Sequence, residues 1–586
     1  MGWLRTMPHT LSARGFASLF GLLIVLLPLA ACSGNVNVPN VSQPNSLQPT
    51  NLQLGIPDAA YKAPILGPLP DKTTLHIRVT FKVDQNAMKQ AEQQKIQPGQ
   101  QSHVDQFAKK IGLDDGTYQK IKDFFNTQGI ALKLSKLRTH MAVDASAGNV
   151  AKLMQTKFVL HKNGDHTYYT PDAAKPPKVP QFLANSIDAI TGLDDYSAAP
   201  KHEMTANFRT PAQPKKSQAD CSPLDQTLLP RQVAHAYGFD QFWNHGWNGE
   251  NMTINLVEID GSYASDIQNY LSCINFKGHY QTINVDGHPR EALGESTLDI
   301  QMVAGLARSS NIKIYQTDAS SDNTDVWVNV NDMLQQISDD NVNNANAGNT
   351  VSISLGAAEE EISSQDMRAI DRSIQQLTQV NHMTVFVASG DCGAFTSGEY
   401  GKLAVSFPAS DPWSVAVGGT IMQIDGQNNR ANEVVWSDGS DRSQCKNRWG
   451  SGGGISKVFQ HTDWQNAAGL SQRPQRQLPD VSAVAYALAV YFQGRWGAVG
   501  GTSAAAPIWA TGLALVNQGL LQQVRTFKPS PSLFYNVANN SSGTRPYYNV
   551  TRGNNLYYKA GPGWSYTSGL GTPNLVDFYQ AALKNM

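Results

Sequence analysis

The chain is short of charge. Only 16% of its 586 residues are Asp, Glu, Lys or Arg, against about 25% in an ordinary soluble domain. The charges also balance, 46 basic residues against 47 acidic, which excludes a basic nucleic-acid-binding surface and a polyanionic solvating tail. A polar surface built from Asn, Gln, Ser and Thr suits surroundings in which carboxylates are protonated. Cysteine is scarce too, five residues in all, and no CxxC or Cys/His spacing suggests zinc. No internal repeat with a period of roughly 20 to 50 residues is present. Global disorder is excluded, since 41% of residues are hydrophobic and 11 are Trp.

The N-terminus reads as an address. Arg5 and Arg14 precede an uncharged apolar run, residues 19–31. It is too short for a bilayer, which takes about 20 residues, and fits the apolar region of a secretory signal. The run ends Leu29-Ala30-Ala31-Cys32, and small residues before a cysteine resemble a bacterial lipoprotein signal. Lipidation at Cys32 would tether the protein to a membrane without spanning it. Residues 33–56, rich in Asn, Pro, Gln and Ser, are expected to be a flexible tether. An exported protein can form disulfides. Sequence proximity favours Cys221–Cys273 and Cys392–Cys445 among three possible pairings.

Two folded parts follow. Residues 57–200 mix strand and helix patterns. Residues 75–81 alternate with period two, and residues 115–128 place Tyr118, Ile121, Phe124 and Phe125 on one helical face. Residues 201–220 are polar, aperiodic and bear Pro and Lys, and read as an exposed, protease-accessible linker. Residues 221–586 carry short continuous apolar runs, at 254–259, 312–315, 351–355, 385–388 and 415–417, separated by helical patterns. That texture implies a parallel sheet buried on both faces, with chemistry at the carboxyl ends of its strands.

Three places carry chemistry. Gly500-Gly501-Thr502-Ser503 runs through three alanines to Pro507, which puts the Ser503 hydroxyl at a helix N-terminus, where unpaired N–H groups favour negative charge. Glu295 and Asp299 are four residues apart on a helical pattern, so they share a face. Buried together, two such carboxyls share a proton. Asp391, in Ser389-Gly390-Asp391-Cys392-Gly393, follows directly on an apolar strand. As isolated motifs these could equally be a helix cap, a solvated face and a turn.

In this order, Glu-x-x-x-Asp, Ser-Gly-Asp and Gly-Thr-Ser-x-x-x-Pro resemble the sedolisin family of serine-carboxyl peptidases. Residues 351–356, 452–456 (Gly-Gly-Gly-Ile-Ser) and 479–482 (Pro-Asp-Val-Ser) match as well. The resemblance implies an α/β fold: a subtilisin-like parallel-sheet catalytic domain preceded by an α+β prodomain of the kumamolisin type. It makes Ser503 the nucleophile, Glu295 its general base, Asp299 the group that orients and tunes Glu295, and Asp391 the oxyanion donor. A carboxylate base and a protonated Asp donor both call for acid. A histidine-based subtilisin triad would need a strand-end Asp, which Asp260 could supply. None of the seven histidines after residue 200 lies in a suitable motif.

The family's C-terminal calcium loop corresponds to residues 547–574. There Asn549 and Ser565 stand where the family has aspartates, leaving Val550, Gly561 and Gly563 as carbonyl donors. Calcium is expected to bind weakly or not at all. The reading is an exported zymogen of an acid-active peptidase, with protein or peptide substrates and its own prodomain as inhibitor and chaperone. It is held at a membrane by a lipid anchor until the linker is cut, and nucleic acid is not a partner. The alternative is a catalytically inactive surface lipoprotein that uses the fold for binding.

Overall fold

The computed structural model describes residues 48–93, 104–164, 166–197, 201–202, 205–207, 227–319, 326–341, 349–397, 401–438, 445, 449–523 and 530–585. The signal segment and Cys32 lie outside the described residues. So does Cys221, although Cys273 is itself disulfide-bonded.

The C-terminal region is built on one large sheet. Strands His279–Asn284, Asn311–Gln316, Thr253–Glu258, Thr350–Ile353, Thr384–Ala388 and Ser414–Ile424 run side by side and parallel. Arg430–Val435 closes one edge antiparallel, and Val481–Val484 pairs in parallel with Val417–Thr420 in the middle of Ser414–Ile424. The central strands are buried at every position, which is why they read as continuous apolar runs. The helix Thr502–Gln522 lies against this sheet, buried almost throughout. It is long and apolar enough to cross a membrane, but here its apolar surface is spent on the core.

The N-terminal region has its own apolar core, which includes Leu75, Ile77, Val79, Phe81, Ile121, Phe125 and Met141. Its main sheet places Thr74–Phe81 between His140–Ser146 and Ile187–Thr191, all antiparallel. The helix Asp115–Asn126 starts at Asp114, whose side chain caps it by accepting from the Thr117 N–H.

Two expectations are corrected. The tether was expected to extend to residue 56. Instead Pro49–Asn51 pairs with Lys178–Pro180, and Leu52, Leu54 and Ile56 are buried in the N-terminal core. Their period-two apolar pattern outweighs the polar composition around them. The linker was expected to be aperiodic. Instead Lys201–His202 and Thr205–Asn207 are strands paired with the C-terminal region.

The two regions pack through the N-terminal sheet, which lies on the helices Val326–Asn341 and Ser364–Gln379. Polar pairs cross this contact. Asp188 takes a 2.6 Å bond from Arg372, Ser197 donates to Asp366, and Thr139 donates to Gln376. Arg78, almost fully buried, pairs with Asp332 and Asp144 and approaches Asp286 at 3.7 Å. Burial works against its charge, but these three carboxylates more than offset it and hold the guanidinium protonated.

His140 sits in the same contact, among Thr139, Gln335 and Ser373. Burial, with a contribution from Arg372, pushes its pKa down to about 3. A histidine depressed by docking favours the docked form above its free value near 6.5 and loses that contribution as pH falls toward 3, by about tenfold per pH unit. Asp194 acts in the opposite sense. Burial and the neighbouring Asp366 push its carboxyl up, so it favours docking as it protonates. His140→Gln removes only the first effect. Hydrogen exchange in the helices Val326–Asn341 and Ser364–Gln379, corrected for intrinsic rates, should keep its protection to lower pH in the variant. Identical profiles would contradict this.

Candidate active site

Three neighbouring strands of the large sheet deliver their carboxyl ends to one place. Thr253–Glu258 ends on Glu258, with Asp260 just beyond; Thr350–Ile353 leads into Ser354; Thr384–Ala388 leads into Asp391. Against this edge pack the helices Glu295–Leu306 and Thr502–Gln522, which also contact each other. The structure thereby brings Glu295, Asp299, Asp391 and Ser503 together, each at most 1% exposed.

Ser503 stands in the first turn of its helix, after Gly501, whose φ of 141° suits only glycine. Four residues on, Pro507 has no N–H to give to the Ser503 carbonyl. The Ser354 hydroxyl lies 3.2 Å from that carbonyl oxygen, and the Ser503 hydroxyl lies 3.4 Å from the Ser354 carbonyl. The Gly-Thr-Ser-x-x-x-Pro spacing thus opens a backbone acceptor that a neighbouring strand end fills.

The carboxyls form a chain. Ser503 hydrogen-bonds Glu295, which adjoins Asp299. Asp299 Oδ2 takes a 2.6 Å bond from Ser354 Oγ, and its carboxyl is also bonded to Glu258. Burial first, then Asp299 and Asp260, push Glu295 well above the usual carboxylate range, and the Ser503 bond offsets part of this. Asp299 is raised mainly by burial, against the bond from Ser354. Glu258 is raised by burial and by the charges of Asp299, Asp260 and Glu295, so it stays protonated and donates to Asp299. Sequence reasoning missed Glu258 and Ser354. The signal available was their position at the ends of neighbouring apolar runs.

Asp391 caps the helix that carries Ser503. Its Oδ1 accepts from the Thr502 N–H and the Thr502 hydroxyl, both at 2.8 Å, and the Gly390 N–H donates to the same hydroxyl. The next residue, Cys392, is disulfide-bonded to Cys445. Gly452 lies hard against this turn, and a Cβ there would meet the Ser389 carbonyl oxygen at 1.9 Å. The Gly-Gly-Gly motif is therefore a packing requirement of the Asp391 turn. Asp480, in the Pro-Asp-Val-Ser motif, plays no part in the site. It pairs with the buried Arg476, accepts from the Ala416 N–H and Tyr535 hydroxyl, and holds the sheet to its surroundings.

The C-terminal loop is held by neutral groups. Ser565 is buried with its hydroxyl 2.9 Å from Thr567 Oγ1 and 3.1 Å from Ser568 Oγ, while Asn549 is exposed. At the loop's base, Arg430 stacks on Tyr548 and pairs with Glu433, which also accepts from Thr572. No group of three His, Cys, Asp or Glu that could hold a metal occurs among the described residues. A cation that prefers several carboxylate oxygens does not fit Asn549, Val550, Gly561, Gly563 and Ser565 as they stand.

The linker strands lie beside the reactive residues. Lys201–His202 pairs antiparallel with Leu355 and Gly356, directly after Ser354. Thr205–Asn207 pairs antiparallel with Ala498–Gly500, directly before Gly501-Thr502-Ser503. The chain's own backbone is bound by strand addition on both segments that lead into the site.

The Pro-kumamolisin activation domain matches residues 65–196, and the Subtilase family matches residues 285–530. Kumamolisin of Bacillus sp. (strain MN-32) is 28% identical, over 90% of this chain and 94% of its own length. Sedolisin of Pseudomonas sp. (strain 101) is 26% identical, over 89% of each chain. The structure of Pseudomonas sedolisin, a serine-carboxyl proteinase complexed with two molecules of pseudo-iodotyrostatin, superposes with a TM-score of 0.52 at 25% identity. It covers 61% of this chain and 98% of its own. With a Pro-kumamolisin activation domain and a Subtilase-family domain, the chain is a serine-type peptidase similar to kumamolisin and sedolisin over nearly its whole length.

Proposed function

We propose that the protein is an acid-active serine-carboxyl peptidase made as a zymogen. The observation that carries this reading is the convergence of Ser503, Glu295, Asp299 and Asp391 beside a strand-paired segment of the protein's own linker. Ser503 attacks the scissile carbonyl while Glu295 takes its proton, and Asp299 holds Glu295 in place and shares the charge that develops. Glu258 stabilises Asp299 by donating to it. With its Oδ1 engaged by Thr502, Asp391 uses Oδ2 to carry a proton and donate to the tetrahedral oxyanion. Loss of that proton ends the donation, so activity falls on the alkaline side. Glu295 then returns its proton to the leaving amine, and water repeats the sequence to release the acyl group.

Before processing, the docked N-terminal region and paired linker keep other peptides out. Acidification should convert the purified zymogen to a form beginning within or just after residues 201–219, detected by N-terminal sequencing. Ser503→Ala should abolish both this conversion and peptide hydrolysis, a loss of about 10⁴-fold or more. Conversion that persists in Ser503→Ala would sink the assignment.

The protein is exported and lipidated at Cys32, as the charged start, the apolar run 19–31 and the small residues before Cys32 indicate. Linker cleavage then severs the catalytic region from its anchor. Mass spectrometry should find lipidated Cys32 only in the cell-bound fraction, and a released form still carrying it would contradict this. The C-terminal loop keeps its shape without calcium. Added calcium or chelator should move Tm by no more than about 2 °C; a large rise with calcium, reversed by chelator, would contradict this.

A further inference from the structure

The helix that carries Glu295 and Asp299 begins without a cap of its own. Its N-cap is Gly294, in a left-handed conformation with φ of 112°, and no side chain of the cap residue bonds the first turn. A helix start leaves several N–H groups unsatisfied, and burying them unpaired is costly. Here one distant carboxylate takes two N–H groups of the helix start and the one just before it. Asp260 Oδ2 accepts from the Leu293 N–H at 2.8 Å and the Gly294 N–H at 3.0 Å, and Oδ1 accepts from the Ser296 N–H at 3.0 Å. The three donors bracket Glu295 on both sides. A return stitch, Gly261 N–H to the Glu291 carbonyl at 2.8 Å, fixes the same pair of segments. Asp260 is 1% exposed, so water does little to screen it.

We propose that Asp260 is a positioning residue for the proposed base: it ties down the turn that presents Glu295 and sets the electrostatic field at that carboxyl. This rests on the peptidase reading above. Asp260 does not touch the reacting atoms; its three backbone bonds decide where Glu295 points. Its charge has a separate effect, because it disfavours a second negative charge nearby and raises Glu295, Asp299 and Glu258. The other charged or titratable groups facing Glu295 are Asp299 on its own helix, Glu258 at the end of the neighbouring strand, and Asp391 across the site. Asp260 differs from these in being committed to backbone donors. A carboxyl that only held the fold would leave the pH dependence of turnover unchanged.

The test compares processed wild-type enzyme, Asp260→Asn and Asp260→Ser on one peptide substrate across the acidic range, with Ser503→Ala as the blank. Serine is included because it keeps a neutral capping oxygen without setting an amide N–H against the backbone donors, as asparagine would. Both variants should lower kcat by about tenfold or more, since a small misplacement of a reacting group is costly, with KM within about twofold. Both should also move the acid limb of kcat/KM to lower pH by about one unit, because Glu295 loses its proton more easily without the neighbouring charge. A lower kcat with an unmoved acid limb would reduce Asp260 to a structural cap and overturn the proposal. Wild-type enzyme with no Ser503-dependent turnover would sink the peptidase reading itself, whatever the Asp260 variants do.

Discussion

Glu258, Asp260, Glu295 and Asp299 place four carboxyl groups in one volume from which water is largely excluded. Four charges cannot coexist there, since each would lack both solvent and an opposite charge. The surroundings resolve the conflict unevenly. Asp260 is committed to three backbone N–H donors at a helix start, where negative charge is favoured. Glu258 keeps its proton and gives a hydrogen bond to Asp299. The remaining charge is shared by Glu295 and Asp299, which titrate as a pair and not as separate groups. A pair held in this state can accept and return one proton at little cost, as the reaction proposed at Ser503 requires.

Such an assembly demands a stiff frame. Parallel strands buried on both faces bring Glu258, Ser354 and Asp391 to one edge, and two helices buried on nearly all sides bring Glu295, Asp299 and Ser503 to meet them. The motifs outside the chemistry serve the same frame. Gly452 lets two turns approach more closely than any side chain would allow. Asp480 and Arg476 lock a strand, and the disulfide after Asp391 ties down its turn. The low charge content belongs here as well: a surface with few carboxylates loses few ion pairs when the medium turns acidic.

Sequence legibility followed the physics of each element. The central strands were readable because burial on both faces makes them continuously apolar, as at 351–353 and 385–388. Ser503, Glu295, Asp299 and Asp391 stood out because each sits in a short motif with fixed spacing, and the fold brings these four side chains together. Glu258 and Ser354 were not, since their roles depend on which strands become neighbours, and no local pattern records that. Asp260 was visible only as the strand-end acid of a different chemistry, because its partners lie more than 30 residues away. The strands at 201–202 and 205–207 escaped for a related reason: strand addition draws on the edge of another element and needs no apolar pattern of its own.

The pairing of Thr205–Asn207 with Arg495–Gly500 has one further consequence. Among the described residues that strand has the linker on one side and Leu488–Phe492 on the other. Until the linker leaves, its hydrogen-bonding edge is covered. Removal opens a row of backbone groups ready to pair with any extended chain, the same property that makes uncovered sheet edges prone to aggregation. Under the proposed activation, the cut that admits substrates would also leave a sticky border. The mature form should thus be soluble at lower concentration than its precursor, and any extended peptide lying along that edge should act as a solubilising companion.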